Sequence, residues 1–213
     1  MEEKRNNQVS GSTSADLLPL SVEQSPNLPA IVLASGSPRR AEILRTVRWP
    51  FHTCAVNVDE SCVIGEDAVS YVERLAREKA EAATPRRFSE LVLGADTVVV
   101  VENEIFGKPL DNNDARRMLR DLSGRWHEVL TGVALVDGRT SRSIVAHETT
   151  QVKFAVMSED EINWYISTGE PMDKAGAYAI QGRGARFIEQ IKGDYFNVVG
   201  LPVRLLYQLV HKF

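Results

Sequence analysis

The 213-residue chain contains two cysteines, Cys54 and Cys62. They are too few for a disulfide framework, and their spacing matches no zinc pattern. Both read as ordinary thiols of a reducing compartment, and a cytoplasmic location is expected. No apolar run approaches the roughly 20 residues of a membrane span, so no membrane partner is expected. Positive charge is not in excess: 25 basic residues face 29 acidic ones, for a formal net charge of −4. A global electrostatic case for wrapping DNA or RNA is therefore absent, and no nucleic-acid partner is expected. Any anion the protein holds is small and bound locally. The chain has no internal repeat. His52, His127, His147 and His211 fall in no metal-ligand spacing, and Trp49, Trp126 and Trp164 read as packing residues.

Hydrophobic residues make up 43% of the chain, enough for a sizeable core. Residues 1–28 are rich in Ser, Asn, Gln and Pro and carry no helical or strand period, so they read as a flexible N-terminal tail. Glu2, Glu3, Asp16 and Glu23 argue against an organelle transit peptide, which is acid-poor. Residues 29–213 read as one α/β domain.

The segment Ala30-Ile-Val-Leu-Ala-Ser-Gly-Ser-Pro-Arg-Arg40 carries the strongest signal. An apolar run that reads as a buried strand breaks at Ser35-Gly36. Ser37 can then cap a helix, Pro38 suits its first position, and Ile43, Leu44 and Val47 mark an apolar face. Arg39 and Arg40 fall in the first helical turn, where the helix end already carries partial positive charge. An anion bound there would turn that repulsion into attraction. Strand, small-residue loop, helix start and arginine pair read together as a phosphate site.

Further along, Phe51–Val58 reads as a strand and Asp67–Ala83 as a helix with Val72, Leu75, Ala76 and Ala83 on its apolar face. Leu91–Val101 is the strongest strand. Asp111 can cap a helix faced by Ala115, Met118, Leu119 and Leu122. Trp126–Val136 and Arg142–Met157 read as long strands joined at Asp137-Gly138. Ser158-Glu-Asp-Glu161 fits a capping box. Ala177–Gln181 and Phe187–Ile191 read as short strands, and Pro202–Lys212 as a last helix. Helices and strands alternate around a strand pair, which implies a mixed sheet flanked by helices, with two lobes around a cleft.

Asp96 lies inside the strongest strand, where an ionised carboxylate costs several kcal/mol unless paired, hydrogen-bonded or metal-bound. A metal ligand or general base fits, and so does a carboxylate bonded to backbone at a bulge beside Gly94. Thr97 would face the other way on a regular strand. Lys79 shares the apolar face of its helix; it either snorkels from the edge or points inward at a phosphate. Lys108, in the stiff Gly107-Lys-Pro109 turn, is one hairpin from Asp96. Asp59-Glu60 closes a strand and could offer a carboxylate to Mg²⁺. Gln181 can present both a donor and an acceptor to a base edge. The Gly182-x-Gly184 pair is not a dinucleotide fingerprint.

In this order, these pieces resemble the Maf family of nucleoside triphosphate pyrophosphatases. The resemblance runs from about Ile31 to the C-terminus. It rests on Leu33-Ala-Ser-Gly-Ser-Pro-Arg-Arg40, Val58-Asp-Glu60, Lys79-Ala80, Gly94-Ala-Asp-Thr-Val98, Gly107-Lys-Pro109, Leu122-Ser-Gly124, Thr131-Gly132, Asp173-Lys-Ala-Gly-Ala-Tyr178, Ile180-Gln-Gly182, Gly193-Asp-Tyr195 and Asn197-Val-Val-Gly-Leu-Pro202. It implies an elongated mixed sheet like that of inosine triphosphate pyrophosphatases. It also implies metal-dependent hydrolysis of a nucleoside triphosphate to the monophosphate and pyrophosphate, clearing unwanted nucleotides from the pool, and a homodimer is common in the family.

By the same resemblance, Asp96 matches the proton acceptor and, with Glu60, an acidic position near a divalent metal, Mg or Mn. Ser35, Ser37, Arg40, Lys79 and Lys108 match positions lining the triphosphate. Arg39, Thr97 and Gln181 match residues carried by members acting on dTTP and UTP, which assigns Arg40 to phosphate and Arg39 to selectivity. Two other readings stay open: a nucleotide-sensing regulator of cell division (septum inhibition) with incidental hydrolysis, and a pyrophosphatase directed at purine or 7-methyl-GTP substrates.

Overall fold

The computed structural model describes residues 28–84 and 90–213; the tail, all but Leu28, and most of the basic stretch 84–87 lie outside them. β1 (Ile31–Leu33) leads into α1 (Pro38–Thr46), then β2 (Phe51–Thr53) and α2 (Ala68–Ala83). β3 (Leu91–Val101) turns into β4 (Glu104–Phe106), and α3 (Asn112–Leu122) precedes the long pair β5 (Trp126–Asp137) and β6 (Ser143–Phe154). After α4 (Glu159–Ser167) come three short 3₁₀ turns, β7 (Ile188–Lys192), α5 (Tyr195–Val199) and α6 (Val203–Val210).

The sheet is mixed, in the order β2-β1-β3-β5-β6-β7, with β4 also on β3. β1 runs parallel to β2 and β3, and the remaining pairs are antiparallel. Helix starts follow the capping signals. Asp67 accepts from Ser70 N–H, Asp111 from Asn113 and Asp114, and Ser158 and Glu161 complete the reciprocal box.

Strand alternation divides the core. Ile31, Leu33, Leu93, Ala95, Val133 and Leu135 face α1 and α6, whereas Val32, Val92, Ala134 and Val136 face Ala76, Ala80 and Ala83 of α2. A separate cluster joins α3 and α4 to the far ends of β3, β5 and β6, with Tyr178 and Phe187. The first two groups, on opposite faces of the β1 end of the sheet, make one lobe, and the α3–α4 cluster makes the other.

Two strand expectations are corrected. The second strand stops at Thr53 rather than Val58, and Ala177–Gln181 is not a strand at all. Gly176 (φ 67°), Ala177 (φ 58°) and Gly182 (φ 122°) lie in the left-handed half of backbone space, which no ladder accepts.

His127 is buried in the second lobe. It meets Phe154 and Tyr178 edge-on, and its Nε2 lies 2.8 Å from the Tyr178 hydroxyl. Burial pushes its pKa down to about 3. The unfolded chain then binds one more proton than the folded one between about pH 6.5 and 3, so this group's contribution to stability falls as the solution is acidified through that window. Lowering pH from 7.5 to 5.5 is expected to remove about 1.4 kcal/mol through this residue. Urea unfolding at the two pH values checks it: His127→Gln should show that much less pH dependence than the native chain.

Candidate active site

The cleft arises because β1 is short. It pairs with β3 only through Leu91–Leu93, and β4 takes up the same edge only at Val99–Val101. Between them the edge of β3 from Gly94 to Val98 has no strand neighbour, and β1 ends beside it in the Ser35-Gly36-Ser37 loop and α1. Ala34 N–H donates to the Leu93 carbonyl at 2.8 Å, locking the loop to that edge. A cavity of about 420 Å³ opens there, between the two lobes. Ser35, Ser37, Arg39, Arg40, Glu60, Lys79, Asp96, Thr97, Lys108 and Gln181 all line it. The outermost two, Ser35 and Gln181, are 146 positions apart in sequence, and the fold brings them to one place.

The centre is a cation between two carboxylates. Lys79 Nζ lies 2.6 Å from Asp96 Oδ1 and 2.6 Å from Glu60 Oε1. Lys79 and Asp96 are buried, and the Glu60 side chain is half exposed. Lys79 therefore does not snorkel; it points inward, at carboxylates. Glu60 is pulled two ways. Burial raises its pKa, but the hydrogen bond and charge of Lys79, with Lys108 and Arg40 behind it, leave it below the ordinary carboxylate range. Tyr71, one turn before Leu75, donates its hydroxyl to the Glu60 carbonyl at 2.7 Å and fixes the acidic turn to α2.

The side-chain faces follow from β3. Asp96 is on the α2 face with Lys79, and Thr97 on the opposite face with α1. Because the edge is open, both still reach the cleft. Thr97 Oγ1 accepts from Arg40 Nη2 at 3.0 Å and lies 3.0 Å from Thr131 Oγ1. Arg40 also donates to the Gly200 carbonyl at 2.8 Å and to Ser35 Oγ at 3.3 Å. Three of its five N–H donors are thus committed to the protein, and Arg40 braces the loop, β3 and the end of α5 together. Burial lowers its pKa, partly countered by the charge of Asp96.

Arg39 is more open. It donates to Asp173 Oδ2 at 3.0 Å and to the Asp173 carbonyl at 3.2 Å, across the cleft. The start of α1 has no side-chain cap; Ser35 Oγ instead accepts from Ser37 N–H at 3.1 Å. The first-turn N–H groups thus remain available to an anion, as the strand–loop–helix reading requires. Lys108 and Gln181 are exposed at the rim.

Sequence reasoning missed Tyr71, Gly200, Asp173 and Thr131. Each acts through a hydrogen bond to a distant partner, and only their places in the family motifs signalled Gly200, Asp173 and Thr131. Among the described residues no group of three or more His, Cys, Asp or Glu gathers as a metal cluster. Asp96 and Glu60 are nevertheless two hard oxygen donors converging on one positive charge, and Mg²⁺ is commonly held by one or two carboxylates plus substrate phosphates. The donor set fits such an ion. No described helix is long and apolar enough to cross a membrane.

A family model described as Maf-like protein matches residues 30–213. The chain is 54% identical over 183 residues to the dTTP/UTP pyrophosphatase of Symbiobacterium thermophilum, covering 86% of this chain and 93% of that protein. It is 49% identical over 182 residues to the dTTP/UTP pyrophosphatase of Koribacter versatilis, with 85% and 93% covered. For that of Clostridioides difficile the identity is 45% over 183 residues, with 86% and 94% covered. A solved structure, the Ham1 protein of Staphylococcus aureus, aligns with a TM-score of 0.49 at 15% identity over 86% of this chain and 98% of that one.

Proposed function

This chain belongs to the Maf family, and we propose that its cleft hydrolyses nucleoside triphosphates, dTTP and UTP foremost, to the monophosphate and pyrophosphate. The observation that carries this reading is the Lys79 ammonium clasped between Asp96 and Glu60, beside an uncapped helix start. The names of the curated relatives support the substrate class.

In this reading the triphosphate lies along the α1 N-terminus. Lys108 and the first-turn N–H groups bind its oxygens, with Ser35 and Ser37 framing the turn, and Arg40 holds that wall rigid while offering its remaining donors to phosphate. A divalent cation, Mg²⁺ or Mn²⁺, held by Asp96 and Glu60 would supply neutralisation of phosphate charge. Asp96 accepts the proton of the water that attacks the α-phosphorus. Lys79 fixes the direction of the Asp96 carboxylate and adds positive charge where the leaving pyrophosphate gathers negative charge. Gln181, whose carboxamide finds no hydrogen-bond partner among the described residues, reads the base edge, with Arg39 beside it.

Pyrophosphate release measured over a panel of nucleoside triphosphates tests the reading. The preferred substrates are expected to be dTTP and UTP. Gln181→Ala and Arg39→Ala should each reduce the preference for those bases about tenfold, with the melting temperature unchanged. Equal turnover of purine triphosphates by the native chain would overturn the pyrimidine assignment, and tight binding with negligible product would overturn the enzyme assignment.

A further inference from the structure

Gln181 sits on a loop with no ladder to stiffen it, yet both ends of that loop are tied to two side chains of the second lobe. Upstream, Ala179 N–H donates to the Tyr165 hydroxyl oxygen at 3.1 Å. That hydroxyl donates to Glu170 Oε1 at 2.9 Å. Downstream, Arg183 N–H donates to Glu170 Oε2 and Gly184 N–H to Oε1, both at 3.0 Å. The loop is wrapped directly on the carboxylate: a Cβ on Gly182 would stand 2.8 Å from Glu170 Oε2, and Gly182 has φ 122°. The same residue reaches the other rim, because Lys174 Nζ donates to the Glu170 carbonyl at 3.2 Å, and Lys174 follows Asp173, the partner of Arg39. Tyr165 is fully buried in α4, packed edge-on to Phe187 with ring centroids 5.5 Å apart.

We infer that Glu170 and Tyr165 are positioning residues that set how Gln181 meets the nucleobase, so that base selectivity is held by two groups that do not touch the substrate. The inference rests on the nucleotide reading above. A rim residue on an untethered loop would sample many orientations and lose discrimination, because freezing the loop and side chain on binding costs part of the binding energy. A carboxylate suits the task, since its two oxygens accept all three N–H and O–H donors at once. A carboxamide at 170 would turn an NH₂ group toward at least one of those donors and free that end of the loop.

The test is a double-mutant cycle on the full chain, with kcat and KM for pyrophosphate release from dTTP, UTP, CTP and dGTP. Glu170→Gln is expected to raise KM for the preferred pyrimidine triphosphate about tenfold and to keep kcat within about threefold of the native value. Added to Gln181→Ala, it is expected to change base preference no further, because the group it positions is already gone. An equal loss on every nucleotide, or the same penalty in the Gln181→Ala background, would reduce Glu170 to a structural role and overturn the inference, with the nucleotide reading intact. If Gln181→Ala itself left base preference unchanged, the reading of Gln181 would fail and the inference with it. Should Glu170→Gln not fold, Tyr165→Phe decides in the same cycle. It removes only the hydroxyl, and with it the bonds to Ala179 and Glu170, and it is expected to shift KM in the same direction by about threefold.

Discussion

Asp96→Asn is expected to cut pyrophosphate release from dTTP and UTP by about 10³-fold or more, while nucleotide binding survives within a few-fold. The carboxamide keeps the shape of the side chain but cannot take up a proton at the reacting water. Its oxygen can still accept from Lys79 Nζ, now 2.6 Å from Asp96 Oδ1, but it carries no charge, so the ammonium keeps only Glu60 as an anionic partner. The direct phosphate contacts at the α1 start and the rim cations do not pass through Asp96, and Glu60 with the triphosphate's own oxygens would still hold a cation, which is why binding is spared. Steady-state rates with calorimetric titration of a non-hydrolysable triphosphate separate the two effects. Turnover near the native level would remove Asp96 from the chemistry.

The second large effect is expected from a residue that has no side chain. A Cβ on Gly94 would stand 2.0 Å from the Ala76 carbonyl oxygen and 2.7 Å from the Ala80 nitrogen. Both belong to the backbone of α2, so nothing can rotate out of the way and the helix must lift from the sheet. Gly132 makes the same approach to the Val72 carbonyl, at 2.1 Å, and it is paired with Asp96 across β3 and β5. These two glycines set the helix–sheet distance at which Lys79 reaches Asp96. Gly94→Ala is expected to cost about 3 kcal/mol and lower the melting temperature by roughly 6–12 °C. A shift of roughly an ångström at Lys79 should also reduce turnover about 10²-fold. Thermal melting by circular dichroism, with rates on the surviving folded fraction, checks both. Gly107→Ala, where a Cβ meets nothing within 4 Å, is the stability control and should melt within about 2 °C of the native chain. An unchanged melting temperature for Gly94→Ala would show that α2 does not press on the sheet as described.

Local chemistry made much of the fold readable. β3 runs Leu91–Val101 as its almost continuously apolar and β-branched stretch implies, and α2, α3 and α4 begin at Asp67, Asp111 and Ser158, because a cap is a bond between near neighbours. The stretch Ala177–Gln181 reads as a strand by composition and is not one. Its conformation is imposed by Tyr165, 14 residues from Ala179, by Glu170 holding the loop just beyond it, and by positive φ values at Gly176, Ala177 and Gly182 that composition does not encode. Phe51–Val58 fails as a strand after Thr53 because β1, its neighbour in the sheet among the described residues, ends at Leu33.

The sequence by itself determined the parts: an anion-seeking helix start at Ser37-Pro38, a carboxylate where burial forbids a lone charge, a lysine on an apolar helix face, and a family order that joins them. It could not say what Lys79 points at, which was open between solvent and phosphate, nor that Arg40 spends three donors on its own protein. Those were decided by the tertiary structure. The short β1 leaves the β3 edge open, and two glycines let α2 settle on the face of β3 and β5 beside it. At that distance the cheapest arrangement for a buried ammonium and a buried carboxylate is to meet each other.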